Sequence, residues 1–252
     1  MKRRLILGFA SVTLALSLVA ARPASAAAFV ASTWGDNAVH LLDANFANLS
    51  SFNVFPNPNG VATDGTTIWV GSFLLQQVSA YDFSGNLLYS WNGGFPNLQG
   101  MELVNGELAI QDNANIEFYN PVTGAFIRSI ASPGGSVEGL AFDGTLLWAL
   151  DDRIIGLNPL TGAVVNSIPN AAINCAFGGT GLTTAGAGRL GLGCADGNWF
   201  VVSSTDGSVI TSGNNGLQMF GLDEAQAVPE PASLLLLGAG LAGAARRIRR
   251  KA

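Results

Sequence analysis

Between Ala28 and Ala227 the apolar residues fall in short runs, separated by Asp-Gly, Asn-Gly and Ser/Thr-Gly pairs. Short apolar runs bounded by turn residues predict β-strands joined by tight turns, and no stretch at helical spacing is long enough to compete. The pattern recurs. "GVATDGTTIWVGSFLLQQVSAYDFSGNLLYSW" from Gly60 and "GLAFDGTLLWALDDRIIGLNPLTGAVVNSI" from Gly139 follow one plan. Each reads as a strand, an Asp-Gly turn, a strand containing Trp, a strand ending in Asp or Asn, a Ser/Thr-Gly turn and a last strand. A third copy starts at Gly100, "GMELVNGELAIQDNANIEFYNPVTGAFIRSI". The fourth starts near Cys175 and ends "WFVVSSTDGSVITSG", and "GLQMFG" from Gly216 resembles the first strand of another.

Four short strands in about 40 residues is the size of one propeller blade. "AFVASTWGDNAVHLLD" (Ala28–Asp43) aligns without gaps on "TIWVGSFLLQQVSAYD" (Thr67–Asp82), so the repeats begin at the second strand of a blade. Pairing the last strand with these first three closes a ring and removes the exposed sheet edge. The expectation is an all-β chain, a β-propeller of five blades with four strands each, its C-terminal strand closing the N-terminal blade. An open or six-bladed ring is the alternative. The repeats resemble those of NHL, YVTN and quinoprotein-like propellers, most of all in "YNPVTGAFIRSI" and "LNPLTGAVVNSI". That resemblance implies the fold and leaves activity open, because propellers host lyases, lactonases, dehydrogenases, lectins and scaffolds.

The two ends follow another pattern. Met1-Lys2-Arg3-Arg4, an apolar stretch from Leu5 to Ala21 and an Ala24-Ser25-Ala26 exit make a secretory signal peptide, placed at 1–27. The propeller is placed at 28–222 and a linker at 223–231. The apolar run Ala232–Ala245 spans about 21 Å as a helix, short of the ~30 Å bilayer core. A basic tail, 246–252, ends the chain. Val228-Pro229-Glu230-Pro231, the Leu/Gly/Ala run and the cluster Arg246, Arg247, Arg249 and Arg250 resemble the PEP-CTERM sorting signal of Gram-negative bacteria. The resemblance implies cleavage near Pro-Glu-Pro by an exosortase-type membrane protease, and an association with exopolysaccharide and biofilm. The expected route is export, a transient stay in the inner membrane through 232–245, then the cell surface or extracellular matrix. Signal peptidase and the exosortase-type enzyme are the expected processing partners.

Removing both ends changes the charge. Nine of the 12 Lys and Arg lie in them, leaving Arg128, Arg153 and Arg189 against 16 of the 17 acids. So acidic a body excludes nucleic acid as a partner, since phosphate binding needs a basic surface. It suits divalent cations, or solubility outside the cell.

A polar residue precedes the first strand of each repeat: Asn59, Gln99, Glu138, Asn174 and Asn215. Ringed at the channel mouth, these oxygen donors are a candidate site for a divalent cation such as calcium. Propellers similar to gluconolactonase place metal-binding residues at comparable strand starts; the other reading is that these are loop-end turn residues. His40, the single histidine, falls in the third strand of its blade, so His-based chemistry is hard to assemble. Asp64, Glu102, Glu138, Asp143, Asp151 and Asp152 offer carboxylate pairs for glycosidase chemistry, although Asp-Gly turns and strand ends give most a structural reason. No catalytic residue is assigned. Trp69 and Trp148 share one repeat position and read as packing between blades, as does Trp34; Trp91 and Trp199 are less constrained, with core packing favoured over stacking on a sugar.

Cys175 and Cys194 flank a Gly-rich hairpin, on paired strands by alignment, and export to an oxidising space predicts a disulfide between them. The reading that follows is a non-catalytic binding or structural propeller, sorted to the surface or matrix, presenting its channel face or blade edges to exopolysaccharide or matrix proteins. The alternative is a cation-dependent hydrolase, lactonase- or glycosidase-like, working from the channel mouth.

Overall fold

The computed structural model describes residues 27–134, 137–169, 175 and 179–225. Expectations for 1–26, for Asn174 and for 226–252 lie outside the described residues. Five four-stranded antiparallel sheets form a ring. The first blade joins β20 (Met219–Glu224) to β1 (Phe29–Thr33), β2 (Ala38–Leu42) and β3 (Asn48–Asn53). The second holds β4 (Pro58–Thr63), β5 (Thr67–Ser72), β6 (Gln77–Asp82) and β7 (Leu87–Asn92). The third holds β8 (Leu98–Val104), β9 (Glu107–Asp112), β10 (Asn115–Tyr119) and β11 (Phe126–Ala131). The fourth holds β12 (Gly139–Phe142), β13 (Leu147–Leu150), β14 (Arg153–Leu157) and β15 (Val164–Pro169). The fifth holds β16 (Gly179–Thr184), β17 (Arg189–Cys194), β18 (Asn198–Ser203) and β19 (Val209–Asn214).

The chain therefore closes on itself as a five-bladed β-propeller, with Phe29 paired to Glu224 and Val30 to Asp223 across the seam. The inner strands meet in the order β20, β4, β8, β12, β16 and back to β20. In the second to fifth blades their lower ends carry the turns between the first two strands; in all five the turns between the last two strands lie on the same, lower face. Both ends of the ring emerge there, where Ala225 N–H donates to the Ala28 carbonyl (2.9 Å).

Five glycines, Gly60, Gly100, Gly139, Gly181 and Gly221, close the waist. A Cβ on Gly60 would lie 2.5 Å from the Gln99 carbonyl oxygen, and one on Gly139 2.7 Å from the Leu182 nitrogen. One on Gly221 would lie 2.4 Å from the Asn59 carbonyl oxygen, completing the circle. Five inner strands fit round so narrow an axis because these positions have no side chain. Two repeat starts move accordingly. The equivalents of Gly60 are Gly181 and Gly221, rather than Cys175 and Gly216, and β20 runs past residue 222 to Glu224. The shift has a physical source: β16 carries Thr183 and Thr184 where its counterpart has Ala and Phe, and β20 needs no Asp-Gly turn because the chain leaves there.

The core lies between blade faces, in clusters such as Trp69, Leu98, Met101 and Ile110, each residue contributing about 1.5–3 kcal/mol on burial. At four of the five seams the outer parts are tied by a side chain of one blade's outer strand, or just beyond it, that donates to a carbonyl in the hairpin turn of the next blade. Trp91 Nε1 donates to the Pro121 carbonyl (3.1 Å), Arg128 Nη1 to Pro159 (2.8 Å), Asn166 Nδ2 to Ser204 (3.3 Å) and Asn215 Nδ2 to Phe46 (3.0 Å). Arg128 also pairs with Glu107 (2.7 Å) and lies over the Phe118 ring. Trp199 stacks on Phe46 and Trp91 packs near Phe95 and Tyr119, so both are used between blades.

Candidate functional site at the lower mouth of the channel

The waist separates two mouths. At the upper one, the residues preceding the waist glycines are Asn59, Gln99, Glu138, Thr180 and Phe220. Asn59 is buried and its Nδ2 donates to the Leu98 carbonyl (3.0 Å). The Gln99 Oε1 is buried without a partner. Burial, and then the charge of Asp151, pushes the Glu138 carboxyl above its usual range. Thr180 donates to the Met219 carbonyl, and Phe220 stacks on Trp34 at 4.1 Å. Asn215 belongs to the inter-blade contacts instead, because the innermost strand begins four residues after it. Among the described residues, no three or more His, Cys, Asp or Glu are grouped to hold a metal ion. His40 is buried on β2, its Nε2 2.9 Å from Asp36. Burial pushes the Asp36 carboxyl up, but hydrogen bonds from Thr33 and His40 and the His40 charge outweigh it and hold it below its usual range.

The lower mouth is a cleft of about 920 Å³ to which all five inner strands contribute. Thr63, Glu102, Phe142, Thr184, Asp223 and Glu224 form its floor; Asn105, Asp143 and Thr145 rise round it from the adjoining turns and Arg189 from the start of β17. Two of the carboxyls are built alike. Asp223 Oδ2 accepts the N–H of Thr63 in the next blade (2.6 Å) and Oδ1 the N–H of Glu224 (2.7 Å). Glu102 Oε1 accepts the N–H of Leu103 (2.8 Å), and the carboxyl takes a second bond from the backbone of Phe142, again in the next blade. Each staples one inter-blade seam.

Burial acts on both. It pushes Glu102 well above the usual carboxyl range, with the Asp223 charge adding to it. It pushes Asp223 up to about 8, against the two backbone bonds that favour its ionised form and with the Glu224 charge adding to it. Asp223 is thereby held as a carboxylic acid at neutral pH, and Glu102 is displaced toward the same form, which donates as well as accepts hydrogen bonds. Thr184 donates to the Glu224 carboxylate beside them.

Of the six carboxylates singled out in the sequence, Glu102 and Asp143 line this cleft. Asp64 and Asp143 cap turns, each with one oxygen accepting two backbone N–H groups, and Asp143 also accepts from Trp148 Nε1 (2.8 Å). Glu138 and the β13–β14 turn with Asp151 and Asp152 lie on the upper face, where Asp152 makes an exposed ion pair with Arg153 at 3.4 Å. Asp223, Glu224 and Arg189 were not singled out. One signal marks the first: two residues after the waist glycines stand Ala62, Glu102, Ala141, Thr183 and Asp223, so acids replace a small residue in two copies.

Cys175 and Cys194 are joined in a disulfide, Cα atoms 5.5 Å apart. Cys175 precedes β16 rather than lying on it, so the bond holds the segment entering the fifth blade to the upper end of β17.

Residues 227–251 match the PEP-CTERM protein-sorting motif. No curated protein matches the chain in sequence. Among solved structures, the glutaminyl cyclase of Myxococcus xanthus aligns with a TM-score of 0.56 and 16% identity, covering 66% of this chain and 80% of that one. A chain of a nidogen/laminin complex aligns with a TM-score of 0.55 and 17% identity, over 79% of this chain and 85% of that one. At such identities the likeness shows the fold alone. The chain is thus an exported protein made of a five-bladed β-propeller and a C-terminal PEP-CTERM sorting motif, subject to processing by an exosortase-type enzyme.

Proposed function

We propose that the protein is a non-catalytic binding propeller of the cell surface or extracellular matrix, which takes a polysaccharide chain in its lower mouth. The observation that carries this reading is the lining of that cleft: threonine and serine hydroxyls, the Asn105 amide, the Arg189 guanidinium and four carboxyls, of which burial pushes Glu102 and Asp223 toward the protonated form, converging from five blades. Such a set offers donors and acceptors at fixed positions, which suits a hydroxyl-rich neutral ligand. The acidic body disfavours a polyanion such as a uronic-acid polymer.

Retention on dextran and alginate columns tests this. The protein is expected to be retarded by dextran more than by alginate, and Arg189→Ala together with Thr145→Val to abolish the retardation. Equal elution of the wild type from both columns and from a bare matrix would end the reading.

The glycosidase-like alternative is favoured by Glu102, a buried carboxylic acid beside two further acids. It predicts oligosaccharide products from a retained polymer, lost in Glu102→Gln. A cation-dependent lactonase or hydrolase at the upper mouth, with calcium held by Asn59, Gln99, Glu138, Asn174 and Asn215, has less support. Asn215 lies off the innermost strand, and its Oδ1, the atom a cation would take, accepts the Leu217 N–H (3.0 Å).

A further inference from the structure

The exposed apolar residues are unevenly spread. Of thirteen large ones among the described residues, eleven lie on the outer strands near their lower hairpin turns or in those turns, and two, Leu74 and Leu75, on the upper face. The pattern is built into every blade. Where the outermost strand pairs with its neighbour, the register slips by one residue just after the turn. The extra residue is an exposed aliphatic in all five blades: Leu49, Leu88, Ile127, Val165 and Ile210. A bulge re-aims a side chain and turns an edge away from strand pairing. These five therefore form a rim of aliphatic side chains, supplemented by Val122 and Leu160 at the turn tips, Leu160 being 72% exposed.

The position of the chain exit says what the rim meets. β20 is an innermost strand and ends on the lower face, near the axis, with Glu224 on the cleft floor. Seven Cα steps separate Ala225 from Ala232, the start of the apolar segment, and reach at most about 25 Å. Turning the upper face to the bilayer would take the chain across three strands at about 4.8 Å each. It would then run along six residues at about 3.3 Å, roughly 34 Å in all. The tether is too short for that. The entry to β1 lies beside β20, on the same face.

We propose that, while its C-terminal segment lies in the bilayer, the propeller rests lower face down on the lipid surface, aliphatic rim at the headgroup boundary, and that its central cleft opens to ligands only once the tether is cut. The last clause rests on the cleft being the binding site; the orientation has its own measurement. Asp43, Asp143 and Asp206, in turns of the same face, and Asp82, at the end of β6 beside one, are repelled by anionic lipid, so the contact depends on the tether's high local concentration and ends with it.

The test uses the full chain with single Val165→Cys, Leu160→Cys or Leu75→Cys substitutions, each labelled with an environment-sensitive dye; the native cysteines are paired and do not react. The chain is inserted in phosphatidylcholine vesicles containing a headgroup spin-labelled lipid. Labels at 165 and 160 are expected to be quenched several-fold more than the label at 75. Cutting an engineered protease site between Ala225 and Ala232 is expected to remove the difference. Equal quenching at the three sites, stronger quenching at 75, or quenching that survives the cut overturns the proposal. So does dye self-quenching that grows with protein density while the lipid quencher has no effect, since copies would then be covering each other's rims.

Discussion

The two mouths of the channel are made by the same five strands, three or four residues apart, and differ in almost every respect. At the upper mouth the side chains are engaged one by one: Asn59 by a backbone carbonyl, Thr180 by another, Phe220 by Trp34. At the lower mouth two carboxyls each bridge adjacent blades, and an open cleft lies over them. At the strand starts Asn59 and Thr180 make the same bond, each to the carbonyl just before the strand-start residue of the next blade. The strand ends depart from it, and the departures gather on one side of the ring. In a repeat protein the shared positions build the ring, and the positions that break the pattern are where a site can be built.

The waist that divides the mouths gives the largest effect. Gly139→Val puts side-chain atoms against the Leu182 backbone, and a cost above about 4 kcal/mol is expected, read as loss of folded protein in a urea titration. The contrast between the mouths comes next. Asp223→Ala leaves the N–H groups of Thr63 and Glu224 without an acceptor in a buried seam and is expected to cost about 3 kcal/mol. Asn59→Ala at the upper mouth removes one bond to a carbonyl and is expected to cost about 1 kcal/mol. Equal losses would erase the difference.

Titration sharpens the same contrast. Folded Glu102 and Asp223 keep protons that the unfolded chain releases near pH 4. Each group's contribution to stability is therefore complete below about pH 4 and falls as pH rises, that of Asp223 levelling off once it ionises in the folded state near 8. The slope is at most about 1.4 kcal/mol per pH unit for each group. Asp36, Asp82 and Asp206, held below the usual range, act the other way below about pH 4. Melting temperatures are expected to fall from pH 5 to pH 8, and the double variant Glu102→Gln, Asp223→Asn to flatten that fall. The smallest effect belongs to the upper mouth: EDTA or calcium is expected to move the melting temperature by less than about 2 °C, under 1 kcal/mol. A shift of several degrees that disappears in Glu138→Ala would restore a cation there.

The architecture was legible because blades repeat: Trp69 and Trp148 in one position, Asp-Gly after one strand and Thr-Gly after another disclose four strands per unit, and the gapless match of Ala28–Asp43 to Thr67–Asp82 discloses the closure. The register of the last two inner strands was not legible. "CAFGG" and "GLQMFG" imitate the first strand locally, and only the packing of Gly181 and Gly221 against their neighbours' backbones tells the true waist residues from other glycines. Glu102 was visible as one acid among six, but its burial, and its likeness to Asp223, depend on a ring contact between residues more than a hundred positions apart. The sorting signal was fully legible, since its three parts are contiguous and their order is the message.

Hydrogen exchange of the protein with and without a saturating dextran oligosaccharide tests the central claim most directly. The account predicts slowed exchange in the segments round 102–106, 143–146 and 184–190, and no change round 59, 99 and 138. Protection confined to the upper mouth, or spread along the outer strands β7, β11 and β15, would contradict it.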